Sequence, residues 1–409
     1  MLDSGVVVLA KETHKTPAVS MNLAVRAGSI GDPADAPGAT NLLARVIDRG
    51  TASRSAEEIA GEIDTRGIAL SINVTRHLFS IVCTCLARDF EAILALLGDI
   101  LMAPTIPERE LATRKGEVVT AIRQDDDNPG VRAVEGLMAL LYGEHHPYGR
   151  RTKGSVEDVE RITRERLLSL HADRFAPTQL TAVVVGDVEL PRVLDAAGRV
   201  FGGWRAPVPS SIPLPPVRPS ASRRRRVFPM MNKAQADIAY GFTTITRADP
   251  AYYAFWLMNV ALGQYALGGR LGDSIRERQG MAYYVSSQLD ANVLEGPLQI
   301  RAGISPANVD RAIASIDEEL VRLRLDGLTA RELNESRQYV VGAMPRALET
   351  NAGIANFLQT GELFGLGLDY DLRLPGLLGS VTLDDVHEAA LRAVDPARAS
   401  IVVAGPYKE

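Results

Sequence analysis

The sequence predicts an α+β chain of two homologous domains, each a largely antiparallel β-sheet with helices packed on one face, joined by a proline-rich linker into a clam shell. Three observations carry this expectation. At 409 residues the chain is too long for one compact core. Near its middle lies a stretch without apolar period, RAPVPSSIPLPPVRPSASRRRRV (205–227), in which prolines favour extended, unpaired backbone. The two flanking halves then repeat one another.

The repeat is visible in two places. PERELATRKGEVVTAI (Pro107 to Ile122) matches TARELNESRQYVVGAM (Thr329 to Met344), with Arg-Glu-Leu and a Val-Val pair in the same register. Val156 to Val188 matches Thr382 to Pro406, each an acidic helix start, an amphipathic helix, a proline turn, a β-branched strand and a glycine. The boundaries that follow are an N-terminal domain 1–205, a linker 206–227 and a C-terminal domain 228–409. The arginines 223 to 226 read as charge that keeps the linker solvated.

Within the first half, Gly5 to Ala10 and Ala18 to Ala27 have strand character, and Gly28 to Pro37 is a loop. Asn41 to Ile47 and Ala56 to Thr65 are helical. Leu70 to Val74 and Phe79 to Leu86 form a hairpin through Arg76-His77. Phe90 to Leu101 and Glu108 to Arg123 are helices, the second ending before Asp125-Asp-Asp-Asn-Pro129. Paired strands beside long helices favour α+β layering over strict β-α-β alternation.

Composition excludes several classes. A net charge of −5 gives no basic footprint for nucleic acid. The longest apolar stretch, Ala92 to Ala103, contains Gly98 and Asp99 and is too short to span a bilayer. No charged segment followed by an apolar one opens the chain, which points to the cytoplasm, with the periplasm the alternative for a chain whose leader has been removed. Cys83 and Cys85 alternate within one strand, so both thiols share a face and read as small core residues. Glu144-His145-His146 invites a metal reading, but adjacent side chains diverge, and loop packing before Pro147-Tyr148-Gly149 is the simpler one. The nucleophile-elbow, phosphate-loop and dinucleotide motifs are absent from their proper contexts.

Several short segments then converge. They are Leu2-Asp-Ser-Gly5, Val25-Arg-Ala-Gly28, Asp48-Arg-Gly50-Thr51, His146-Pro-Tyr-Gly149, Val185-Gly-Asp-Val188 and LGDSIRERQGMAYYV (Leu271 to Val285). Together they resemble the pitrilysin/insulinase family of zinc peptidases over essentially the whole chain. The last is similar to the family's Arg-Glu-x-x-Gly-Leu-Ala-Tyr segment. The layout looks most like the bacterial and mitochondrial-processing branch, whose subunits work as pairs.

The resemblance implies an inverted H-x-x-E-H motif on the first long helix, two zinc-binding histidines flanking a general base, with a third ligand, a glutamate, on a later helix. At those positions stand Asn41, Ala44, Arg45 and Ala121. A carboxamide is a poor zinc ligand, two methyls offer neither donor nor base, and a fixed guanidinium repels a dication. The implied protein is therefore a metal-free, non-catalytic subunit without a cofactor of its own. Its partner would be a homologous zinc-bearing subunit, and the pair would cleave peptides. Arg276 and Tyr283 would reach the substrate in trans, both being hydrogen-bond donors for a peptide carbonyl or oxyanion. Tyr284 is the alternative tyrosine. A structural scaffold subunit and a metal-free peptide-binding protein remain open.

Overall fold

The computed structural model describes residues 1–212, 214–265 and 268–408. The first half supplies β1 (Val7–Glu12), β2 (Ala18–Val25), α1 (Ala39–Val46), α2 (Ala56–Thr65), β3 (Ala69–Val74), β4 (Phe79–Leu86), α3 (Phe90–Met102) and α4 (Glu108–Asp126). There follow α5 (Pro129–Tyr142), α6 (Val156–Arg161), α7 (Arg164–Arg174), β5 (Leu180–Gly186) and α8 (Leu190–Phe201). The second half supplies β6 (Arg224–Pro229), β7 (Ala236–Thr243), α9 (Tyr252–Asn259), β8 (Ala282–Leu289), β9 (Pro297–Ile304) and α10 (Val309–Asp326). It ends with α11 (Ala330–Ala347), α12 (Asn351–Leu363), α13 (Tyr370–Gly379), α14 (Leu383–Ala393) and β10 (Ser400–Gly405).

The described strands form two five-stranded sheets with the same plan, β1-β5-β2-β4-β3 and β6-β10-β7-β9-β8. In each, one pair is parallel (β1 with β5, β6 with β10) and the others antiparallel. Val118-Val119 lies on α4 and Val340-Val341 on α11, the helices at equivalent points in the two runs. The expected duplicated α+β architecture is what the chain adopts.

Strand alternation explains the first core. Val19, Met21, Leu23 and Val25 of β2 and Phe79, Ile81, Cys83 and Cys85 of β4 point one way and pack under α1, α3, α4, α7 and α8. Both cysteines are free and buried there, and burial pushes their thiols up to about 12 (Cys83) and about 11 (Cys85). Only the thiolate attacks, so a thiol reagent at pH 8 is expected to label neither cysteine in the native chain and both in denaturant. Rapid labelling of the native protein would contradict this burial.

The chain divides into two compact units, but not at the linker. One unit is Met1–Ile122, Arg151–Pro213 and Arg346–Leu368; the other is Arg123–Arg150, Leu214–Pro345 and Asp369–Glu409. This departs from contiguous domains 1–205 and 228–409 by two exchanged helices. Helix α4 continues past Arg123 to Asp126, because the first strong stop is Asn128-Pro129, where Asn128 caps α5 through Gly130 N and Val131 N. Helix α5 then packs on β7 and β10, and α12 likewise packs on β2 and β5. Each sheet therefore carries a helix on the face opposite its main helical layer, where the sequence suggested helices on one face.

The linker is also shorter than 206–227. Residues 206–212 and 214–222 carry no helix or strand, but Arg224 already pairs with Ser400 in β6. Arg223 makes a bidentate pair with Asp317 of α10 (2.9 and 3.0 Å), and Arg225 reaches Asp310 (3.0 Å). These arginines fix an edge strand to a helix and do not merely solvate a spacer. No helix of the described residues is long and apolar enough to cross a membrane.

Candidate functional site

The start of α1 is built tightly. Gly38 adopts φ +87, and a Cβ there would lie 2.3 Å from the Lys153 carbonyl oxygen, so only glycine fits. The buried Asp32 carboxylate accepts from Gly38 N (2.8 Å), Thr40 N (2.9 Å) and Thr40 Oγ1 (2.5 Å), which anchors the first turn. Leu42, Leu43 and Val46 fill the core, and Ala44 is buried beside them. Asn41 is half-buried and Arg45 exposed, on the other side of the helix. Burial pushes the carboxyl of Asp48, just beyond α1, up against the opposing pull of Arg49 and of Arg114 on α4. Arg114 of α4 thus lies within electrostatic reach of Asp48. Ala121 lies half-buried on α4 between buried Val119 and Ile122.

This set does not fit zinc. One carboxamide, two methyls and a guanidinium provide neither three donors nor a base. Among the described residues no three His, Cys, Asp or Glu side chains gather where a metal ion could sit. The histidines serve elsewhere. His146 accepts from Tyr148 N at Nδ1 (3.0 Å), so its Nε2 donates to the Pro215 carbonyl (3.2 Å), and its ring stacks on Tyr142. Glu144 instead approaches Arg226 (3.5 Å). His171 and His387 bond backbone carbonyls of Leu101 and Arg324, and His14 pairs with Asp187 at the surface.

Arg276 and Tyr283 sit on either side of a sharp chain reversal. The segment Gly272–Arg278 is a wide helical coil that ends at Gly280 (φ +62) and leads into β8. A guanidinium–carboxylate pair holds the start of this segment to α11. Arg270 meets Glu332 at 2.6 and 2.9 Å, and Glu332, also bonded by Thr329, is held down at about 2. Gln279 bonds Ser315 of α10 (3.1 Å) at the other end. Among the described residues Arg276 itself has only Glu277 at 3.9 Å, both side chains being well exposed. Such a pair contributes little.

Tyr283 is 64% exposed and makes no hydrogen bond among the described residues. A bulge explains its placement. Ala282 pairs with Ile304 and Tyr284 with Gly303, which leaves Tyr283 as the extra residue on β8, an edge strand. Tyr284 is committed locally. It crosses Gly303, where a Cβ would come within 2.5 Å of its ring, and donates to the Asp237 carboxylate (2.5 Å); burial first and this bond second push its phenol up to about 12. Sequence reasoning did not find the bulge, because no glycine marks it. The Arg-Glu-x-x-Gly pattern located the turn alone.

The comparisons with known proteins agree with this architecture. Residues 7–152 match the family described as insulinase (peptidase family M16), and residues 161–340 match the peptidase M16 inactive domain. An uncharacterized zinc protease of Streptomyces coelicolor is 26% identical over 100% of this chain and 89% of its own length. A non-peptidase homolog, YmxG, of Helicobacter pylori is 22% identical over 93% of this chain and 87% of its own. Among solved structures, a peptidase M16 inactive domain from Pseudomonas fluorescens superposes with TM-score 0.91 at 24% identity, covering 99% of this chain and 96% of that one. A protease from Helicobacter pylori gives 0.90 at 17%, covering 99% and 98%. With both halves matched in order and the same duplicated sheets, the chain belongs to peptidase family M16, the insulinase/pitrilysin family.

Proposed function

We propose that this chain is the metal-free, non-catalytic subunit of a two-chain zinc peptidase, paired with a homologous zinc-bearing subunit. The observation that carries the reading is a contrast within the chain. The four positions that need metal or base chemistry hold Asn41, Ala44, Arg45 and Ala121, whereas Arg276 and Tyr283 are present, exposed and without strong local partners.

In this reading the partner supplies zinc and general base. This chain supplies donors: the guanidinium of Arg276 to a substrate carbonyl, and the phenol of Tyr283 to the oxygen that gains charge as the carbonyl is attacked. Strand β8 is an edge strand among the described residues, so an extended peptide would find unpaired backbone beside Tyr283. The name non-peptidase homolog, carried by the Helicobacter pylori relative, fits a chain of this kind.

The test begins with the chain alone. Elemental analysis is expected to find far less than one zinc per chain, and peptide substrates are expected to stay intact. About one zinc per chain, removed by a chelator together with peptidase activity, would overturn the reading. Addition of the zinc-bearing subunit should then produce activity above that of either chain.

A further inference from the structure

The two exchanged helices are seated very differently, although they occupy equivalent places in the duplicated plan. Helix α5 presents Ala133, Leu137 and Leu141 to Ala239, Val402 and Ala404, with Phe228 packed alongside. Its Gly136 lies so close to Phe228 that a Cβ would come within 2.6 Å of the ring. That seam is apolar and tight.

Helix α12 lies on a sheet face of another character. Since Val19, Met21 and Leu23 of β2 enter the core, the alternation places Ser20 and Asn22 on the opposite face. The register sets Asn22 beside Val183 and Ser20 beside Val185, the two valines that meet Ala355 of α12. The fully buried residues of α12 are Ala355, Gln359 and Gly361 only, with Ile354 and Leu358 packing partly buried against the two valines. Gln359 and Asn22 are 4% and 5% exposed, yet the carboxamide oxygen of each accepts no hydrogen bond. A buried acceptor left unpaired favours any state in which water reaches it.

The two ends of α12 are held differently, the first by side chains and the second by backbone bonds. Thr350 caps the helix through Gly353 N, and Asn351 Nδ2 donates to the Ala18 carbonyl (3.0 Å), so the amino end is tethered. The carboxyl end is closed at Gly365 (φ +63), where Leu366 N donates to the Gly361 carbonyl (2.8 Å) in a glycine cap, and Gly367 (φ +85) follows.

We propose that α12 is a releasable strap, which opens from its carboxyl end and uncovers the mixed face of β2 and β5 formed by Ser20, Asn22, Val183 and Val185 without unfolding of the rest. This holds whether or not the chain pairs with a peptidase subunit. Local openings of this kind are read by amide hydrogen exchange. On the full chain, residues 356–363 are expected to exchange at least tenfold faster than residues 133–142 of α5. The volume-conserving substitution Gln359→Met, alone and with Asn22→Leu, removes the unpaired oxygens and should slow exchange of α12 about tenfold while leaving α5 unchanged. Exchange of α12 and α5 together in one global event would overturn the proposal. So would fast exchange of α12 that neither substitution alters, because the polar seam would then not be its cause.

Discussion

Residues 228–409 expressed alone are expected to fail to fold cooperatively, and residues 1–205 to fold with reduced stability. A cut at the proline-rich linker looks like a cut between domains, but it separates each sheet from a helix encoded in the other half. The fragment 228–409 lacks α5, which buries Leu137, Leu141 and Ala133 against Ala239, Val402 and Ala404. Burying a large apolar side chain contributes roughly 1.5–3 kcal/mol, so two leucines and the valine beneath them amount to about 4.5–9 kcal/mol. That rivals the whole stability of a typical domain, about 5–15 kcal/mol. The fragment 1–205 lacks α12 and leaves Val183 and Val185 uncovered. It should suffer less than 228–409, because its seam is smaller and partly polar.

The measurement is thermal or denaturant unfolding of each fragment beside the intact chain. A sharp transition and native-like near-ultraviolet dichroism from 228–409 alone would refute the argument. A matching control keeps the result interpretable. Cutting the intact chain within residues 206–212 breaks no helix or strand, so the nicked protein should remain associated and unfold as before.

The contrast between the linker and the exchanged helices shows what the sequence could convey. Periodicity locates elements, and here it placed β2, α2 and the β3–β4 hairpin within a few residues of where they lie. The Arg-Glu-Leu and Val-Val matches fixed the order of elements, because a duplicated sequence must repeat its plan. Which sheet a helix covers is a different matter. It depends on the direction in which α4 and α11 deliver the chain, and neither Asn128-Pro129 nor Thr350 records a direction. An apolar face on α5 is equally compatible with either sheet.

The site divides in the same way. That Asn41, Ala44, Arg45 and Ala121 offer no zinc donor set was legible in the sequence, since donor chemistry belongs to the residue type. The availability of Arg276 and Tyr283 was not, since it depends on what neighbours claim. Arg270, a few residues away, is taken up by Glu332 (2.6 Å), and Tyr284, the next residue, by Asp237 (2.5 Å). Only the placement of those acceptors separates a free donor from a spent one.

The largest functional effect expected is therefore at Tyr283. In the pair reconstituted with the zinc-bearing subunit, Tyr283→Phe should lower kcat on the order of a hundredfold, the usual result of removing one oxyanion donor. The hydroxyl makes no bond among the described residues, so the melting temperature should not move. Tyr284→Phe is the matched control. It breaks the buried bond to Asp237 and should cost about 1–3 kcal/mol of stability, with activity of the folded fraction retained. Arg276→Ala should raise KM as well as lower kcat, because a guanidinium on a substrate carbonyl acts before the transition state. Its weak contact with Glu277 predicts no loss of stability. If both substitutions leave the reconstituted activity unchanged, the two side chains do not touch substrate. The chain then supports its partner as a scaffold, and a partner that still needs it for solubility or assembly would be the remaining sign of its role.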